Sequence, residues 1–467
     1  MSFSGVKRVV LYLSALGSFL TPFMGSSVNV ALPAIGDEFL MDAVSLSWVA
    51  TSYLLTAAMF LVPFGRVADI YGRKMVFTWG VVVYTVSSAL SAASTSGWML
   101  IAFRFMQGMG GAMIFGTAVA ILASVYPVGE RGKALGINVS AVYLGLSLGP
   151  FLGGFLTQRF GWRSIFLVNV PLGAVTLIFT LQGLKGEWAE AKGERLDVVG
   201  SAIFGSTLAF IMYGFSLLPA AAGVLLIITG LAGLLIFIIW ESSTESPVLD
   251  INLFRSNATF TFSNLAALIN YSATFAVSFL LSLYLQYIKG LTPETTGFIL
   301  VSQPMVQAVL SPFAGKLSDH LEPRLVASTG MAMTVLGLIL LTSISEETTV
   351  KYILACLTLL GISFALFSSP NTNAVMGSVE KKFYGVASAI LGTMRLTGQM
   401  LSMGIAMLIF TLYIGRTQIT PHEYPMFLTS AKTAFAVFAA LCLGGVFASL
   451  ARGKIRKQGS IITPVPC

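Results

Sequence analysis

Charged residues are few in this chain. Asp, Glu, Lys and Arg make up 10% of its 467 residues, while 56% are hydrophobic. Soluble domains carry about 25% charged residues, so no soluble fold could hide this much apolar surface. Cysteine is nearly missing: Cys356, Cys442 and Cys467 make no disulfide framework, and two of them fall in apolar runs. The only histidines, His320 and His422, lie in predicted loops without metal-ligand spacing, so neither a metal nor a cofactor is expected. No grouping of His, Asp, Glu or Ser in or near the apolar runs reads as an enzyme site. No nucleotide-binding loop is present either, because the Gly108/Gly110/Gly111 cluster lies inside an apolar run with no preceding strand. Acid is also missing from the apolar runs: every Asp and Glu maps to a loop or a run end.

What remains is about fourteen apolar runs, each about 20 residues long, enough to cross a bilayer core of about 30 Å as helices. Their limits are near 9–33, 46–64, 75–95, 98–123, 134–157, 163–184, 198–217, 220–240, 260–287, 295–314, 325–344, 351–376, 385–413 and 430–451. The first run is too long for a signal-peptide core and reads as an uncleaved span. Basic residues gather in alternate loops: Lys7 and Arg8, Arg66, Arg73 and Lys74, Arg131 and Lys133, Lys185, Lys192 and Arg195, Arg255, Lys316, Arg324, Lys381 and Lys382, then Arg452, Lys454, Arg456 and Lys457. Those loops are predicted to be cytoplasmic, and both termini with them. The net charge of +8 therefore reflects the two sides of a bilayer and gives no reason to expect nucleic acid.

The halves echo each other. Gly65-Arg66-x-x-Asp69 follows the second run, and Gly315-Lys316-x-x-Asp319 follows the tenth. The expected fold is an all-α integral membrane protein with 14 transmembrane helices, two pseudo-symmetric six-helix bundles plus two extra central helices. The bundles are assigned to 1–184 and 259–451, the extra helices to 198–240, cytoplasmic linkers to 185–197 and 241–258, and a cytoplasmic tail to 452–467.

Gly65-Arg-Val-Ala-Asp69-Ile-Tyr-Gly72-Arg73-Lys74 joins the second and third runs. Its glycines permit a tight turn, and Asp69 can accept from a facing helix end or pair with an Arg. It reads either as a conformational latch made of Gly65, Asp69, Gly72 and Arg73, or as an ordinary basic loop. Gly145, Gly149, Pro150, Gly153 and Gly154 form a small-residue stripe around a proline, with Gly132 and Gly136 extending it. Such a stripe lets another helix approach closely, whether for packing alone or for a moving contact.

These segments resemble the signature loop and the fifth-span antiporter motif of the major facilitator superfamily. Leu100–Ala112, with Arg104 and Gln107, resembles its fourth-span motif. Tyr126–Gly136, Gly161–Pro171 and Val28–Pro33 resemble the fourteen-span drug:proton antiporter branch of quaternary-ammonium and multidrug efflux type. The resemblance covers nearly the whole chain and is densest over 25–175. It implies an exporter of amphipathic drugs or toxic small molecules, driven by protons, acting as a monomer in the plasma membrane. One departure stands out. The branch carries an acid in the first span shortly before Asn29, and this chain has Met24 there. That loss favours a second reading, an uncoupled facilitator or exchanger for neutral or anionic molecules; a lipid flippase also fits the expected fold.

Two cations stay within the runs. Arg104 lies roughly 9 Å and Arg395 roughly 15 Å from the near end of its run, at 1.5 Å per residue. A cation at mid-bilayer costs about 2.5–3.5 kcal/mol or more. Each therefore faces a cavity or a neutral partner, or in the case of Arg104 reaches back to the interface. Asn29, Arg104, Gln107, Arg395 and Gln399 are the residues expected at a substrate or coupling site. Tyr53, Asn138, Tyr143, Asn270, Tyr284, Gln286, Gln303, Gln307, Asn371 and Asn373 line the same cavity or form interhelical hydrogen bonds.

Overall fold

The computed structural model describes residues 3–127, 130–184, 186–244, 247–249, 251–380 and 384–453. Of the predicted basic residues, Lys185, Lys381, Lys382, Lys454, Arg456 and Lys457 lie outside these, as do the tail beyond Gly453 and the side chains of Arg131, Lys133 and Asp319. The described residues are nearly all helical, as they must be where no water can satisfy the backbone. Fourteen of their helices are long and apolar enough to cross a membrane.

The first group runs α1 (Phe3–Phe39), α2 (Ala43–Tyr71), α3 (Arg73–Ala92), α4 (Gly97–Val125), α5 (Arg131–Phe160), α6 (Arg163–Leu167) and α7 (Asn169–Gly183). The extra pair is α8 (Val198–Leu217) and α9 (Ala221–Glu241). After the short α10 (Ile251–Ser256) comes the second group: α11 (Ala258–Leu283), α12 (Pro293–Leu300), α13 (Ser302–His320), α14 (Pro323–Leu341), α15 (Val350–Gly377), α16 (Tyr384–Tyr413) and α17 (Tyr424–Ala451). Below, "inner" means the face bearing Gly72 and residues 186–197, and "outer" the opposite face.

Local chemistry sets the ends. Asp42 accepts from the Val44 and Ser45 amides at 3.0 and 2.9 Å, Asp197 from Gly200 at 2.8 Å, and Asn257 from Phe260 at 2.9 Å. Each satisfies a donor that the first helical turn leaves open. Two predicted spans are broken, at Val168 between α6 and α7 and at Val301 between α12 and α13. In both cases a proline, Pro171 or Pro304, stands third in the helix that follows. Its ring clashes with the carbonyl four residues back, so the chain restarts instead of continuing. Pro150, Pro312 and Pro370 lie inside unbroken helices.

In the first group α1 packs on α5 and α4, and α4 on α2 and α3. In the second, α11 packs on α16 and α17, and α14 on α15 and α17. The groups meet where α2 faces α16, α5 faces α12 and α13, and α1 faces α11. The extra pair attaches through α8, which touches both α2 and α16. The α1–α5 contact depends on the glycine stripe. A Cβ on Gly145 would sit 2.5 Å from the Phe19 carbonyl oxygen, and one on Gly153 would sit 2.9 Å from the Ser27 backbone. Gly136 faces open space, so the stripe is shorter than the sequence pattern implied.

Gly145→Leu is expected to lower the unfolding free energy of the detergent-purified protein by about 1–3 kcal/mol, the usual cost of overpacking. Gly136→Leu should leave it unchanged. Thermal unfolding of the two variants side by side checks the pair.

Candidate functional site

Two places combine predicted residues with chemistry: the inner turn between α2 and α3, and a cavity between the two helix groups.

The inner turn is a single residue. α2 runs to Tyr71 and α3 starts at Arg73, with Gly72 between them at φ 132°. Gly72 is thus required in a left-handed backbone. Gly65 is not part of a turn; it lies within α2, with no atom near where a side chain would begin. This corrects the tight turn expected at Gly65, because the helix tolerates one glycine and continues. Arg73 is 7% exposed. Its Nε donates to Asp69 Oδ1 at 2.8 Å, and Nη1 and Nη2 donate to Glu190 Oε1 and Oε2 at 2.7 and 3.0 Å. Such two-pronged pairs are among the strongest side-chain contacts. Glu190 belongs to the segment read as a plain linker, and that segment does more. Glu187 accepts from the Lys74 and Met75 amides at 2.7 and 3.1 Å, the Trp188 carbonyl accepts from the Arg73 amide at 2.9 Å, and Glu194 pairs with Arg66. Carboxylates at a helix N-terminus are favoured by its open donors and its dipole. The latch residues are therefore clamped by the acidic segment Glu187–Glu194, a partner that the sequence reading missed. Its signal was three acids spaced to face three basic or donor positions.

A cavity of about 140 Å³ lies between the groups. Asn29, Tyr53 and Tyr143 line it from the first group, and Gln303, Gln307, Arg395 and Gln399 from the second. Arg395 lies over the Phe115 ring at 4.8 Å and shares the cavity wall with Tyr271. Ser368 pairs with the Tyr143 hydroxyl across the gap. Tyr271, Thr274 and Ser278 were not anticipated. They repeat at helical spacing along one face of α11, which is the pattern that would have found them. No Asp or Glu lines the cavity among the described residues.

The structure places the other predicted residues elsewhere. Arg104 is 1% exposed and does not line the cavity. Its Nε donates to the Val49 carbonyl at 2.9 Å, Nη1 to Gln107 at 2.5 Å, and its guanidinium backs the Tyr53 ring at 4.4 Å. Gln107 in turn donates to Ser88 at 2.7 Å. This corrects both the cavity role and the snorkelling alternative: neutral acceptors enclose the cation, and only Tyr53 connects it to the cavity. Asn138, Asn270, Tyr284, Gln286, Asn371 and Asn373 also lie off the cavity lining. Met24 is fully buried with its sulfur 3.2 Å from Asn169 Nδ2, so that position faces α7. Arg452, counted as part of a solvated tail, is fully buried on Asn371 Oδ1 at 3.0 Å and the Ser449 carbonyl at 2.8 Å. Burial pulls its pKa down to about 10, which still leaves it charged at neutral pH.

At the outer end the groups interlock. Ser282 donates to the Asn29 carbonyl at 2.7 Å and Gln286 to the Val30 carbonyl at 2.9 Å. Gly154 lies against the Pro293 backbone and Gly297 against the Pro150 carbonyl, and the Phe151 and Phe298 rings meet at 4.7 Å. The stripe therefore has two faces: Gly145, Gly149 and Gly153 on α1, and Gly154 with Pro150 on α12.

A cavity held between two groups of membrane-crossing helices and lined by both is the layout of a membrane transporter. The chain belongs to the Major Facilitator Superfamily: residues 14–200 and 264–463 match the family's profile. It is a transporter and not an enzyme. The riboflavin transporter RibZ of Clostridioides difficile is 28% identical, over 83% of this chain and 85% of that one. The cephamycin export protein CmcT of Amycolatopsis lactamdurans is 31% identical, over 96% and 94%. The crystal structure of a bacterial homologue of the human lysosomal transporter Spinster, inward-facing and unoccupied, aligns over 96% of this chain and 97% of that one. Its TM-score is 0.67 at 15% identity, which shows the shared fold.

Arg104→Leu leaves Gln107 Oε1 without its donor, while the Val49 carbonyl keeps its bond within α2. An unfolding free energy lower by about 1–3 kcal/mol is expected. Gln399→Leu, on the open cavity wall, should leave thermal unfolding unchanged in the same assay.

Proposed function

We propose that this chain exports amphipathic small molecules across the cytoplasmic membrane by alternating access, in exchange for protons, as a monomer with both termini cytoplasmic. The carrying observation is the cavity lined by both helix groups and closed at the outer end by the α1–α11 and α5–α12 contacts. Similarity to CmcT supports export, and the basic inner loops support the orientation. In the proposed cycle this is the state sealed from outside. The other state parts Gly154 from Pro293 and Gly297 from Pro150, and the pairing of Asp69, Arg73 and Glu190 changes as α2 and α16 separate or close. Two discrete arrangements of packed helices are the usual basis of such a switch.

One observation favours a second reading, uncoupled exchange of neutral or anionic molecules. With Met24 in the usual acid position and no carboxylate on the cavity wall among the described residues, no membrane acid there offers a proton site beside the substrate.

Transport in proteoliposomes under an imposed pH gradient, with a lipophilic cation and a fluorescent anion in parallel, separates the readings. Substrate movement that collapses with the gradient supports proton exchange. Movement indifferent to the gradient supports the uncoupled reading. Gly154→Leu, which blocks outer closure, should cut transport by about tenfold or more. It should also raise labelling of a cysteine placed at Ser278 by an impermeant maleimide added outside. Unchanged transport and labelling in that variant would remove the outer contact from the cycle.

A further inference from the structure

The cavity carries one formal charge among its lining residues, and it is positive. Arg395 sits part-way along α16 with Phe115 of the other group beneath its guanidinium. Its polar neighbours are hydroxyls and amides, and none is acidic among the described residues. Arg104 and Arg452, by contrast, are enclosed by neutral acceptors and unreachable. A planar guanidinium on a partly wet wall, desolvated on its aromatic side, presents a fork that matches a carboxylate or similar oxyanion. The remaining lining is largely apolar, with Phe115, Phe275, Phe364 and Leu300 among it. Asn29 Oδ1 and Gln303 Oε1, on lining residues that are 2% and 8% exposed, have no hydrogen-bond partner. They leave acceptors for a ligand N–H or O–H.

We propose that the transported molecules are amphipathic anions: a flat apolar body with one carboxylate or comparable oxyanion, anchored by Arg395. This rests on the transporter reading above and names the substrate class of the same cavity. The site also touches both helix groups. Arg395 and Tyr271 line it from the second group, Phe115 lies beneath the guanidinium from the first, and Ser368 bonds Tyr143 on α5 between them. An anion seated on Arg395 therefore lies against both groups, on a wall that includes Tyr143 of that hydroxyl contact. A lipophilic cation gains nothing at Arg395 and is repelled by it, since like charges in a low-dielectric site interact strongly.

The test uses three probes on one ring system: 6-hydroxy-2-naphthoate, its neutral amide, and the corresponding aminomethyl cation. Binding to the purified full-length protein is measured by fluorescence titration, and transport of each probe in proteoliposomes. The carboxylate is expected to bind about tenfold tighter than the amide, with the cation weakest. Arg395→Gln should erase that tenfold preference and leave amide affinity unchanged, while Arg395→Lys should keep part of it. Tyr143→Phe should keep the preference but change the transport rate, because it cuts the link and spares the anchor. Equal binding of the three probes, tighter binding of the cation, no naphthoate binding up to millimolar concentration, or equal loss for all probes in Arg395→Gln would overturn the proposal. Selective naphthoate binding without transport of any probe would instead count against the alternating-access reading and leave the anion site standing.

Discussion

The backbone of α5 is in contact with both halves of the protein, and the rest of the arrangement follows from that constraint. One face of the helix, at Gly145, Gly149 and Gly153, lies on α1 and fixes the first group. The adjacent face, at Pro150 and Gly154, lies on α12 of the second. In a bilayer no hydrophobic force presses helices together, so such contacts depend on close fit between backbones. A fit of that kind is lost over a small displacement. In the proposed cycle the α1 face, backed by α4, stays joined, and the α12 face is the one that parts. Pro150 serves both roles: its carbonyl is the surface that Gly297 meets, and its ring removes a donor from the helix at that level.

Charge obeys an equally strict rule. With no acid inside the spans, each buried cation needs a neutral solution. Arg104 takes a carbonyl, an amide and an aromatic face, and so stiffens Tyr53 from behind. Arg452 folds back on the end of its own helix and reaches across to Asn371. Arg395 alone of the three keeps a wet side. The same chemistry thus yields two structural arginines and one available for binding, and burial decides which is which.

Much of the fold was legible in the sequence because the bilayer leaves few options. Run length gives the spans, loop charge gives their alternation, and the two Gly-basic-x-x-Asp segments give the duplication. The breaks at Val168 and Val301 were less visible, since the apolar runs continue through them and only the proline three residues on marks the restart. The site was half legible. Asn29, Arg395 and Gln399 fall on the cavity wall, whereas Arg104 and Gln107 do not. Sequence position gives depth in the membrane but not direction around a helix, and in α4, apolar nearly all round, no polar stripe exists to fix that direction. The stretch of α11 at Tyr271, Thr274 and Ser278 has such a stripe, so its facing was open to reading.

Three of the chain's acids act together. Glu187, Glu190 and Glu194 lie in the short segment between the first helix group and the extra pair; Glu187 and Glu190 grip the start of α3, and Glu194 pairs with Arg66 of α2. At its far end that segment enters α8, which contacts both α2 and α16. The extra pair is therefore joined to the seam between the groups twice: through helix packing at α8, and through ion pairs and capped donors at the turn. Any motion that changes the distance between α2 and α16 must stretch or release one of these attachments. The two attachments differ in kind. Helix packing at α8 depends on close fit, whereas the Arg73–Glu190 pair joins a buried guanidinium to a largely exposed carboxylate. The acidic segment thus couples the α2–α3 junction to α8 through charge, where the spans themselves are coupled through packing.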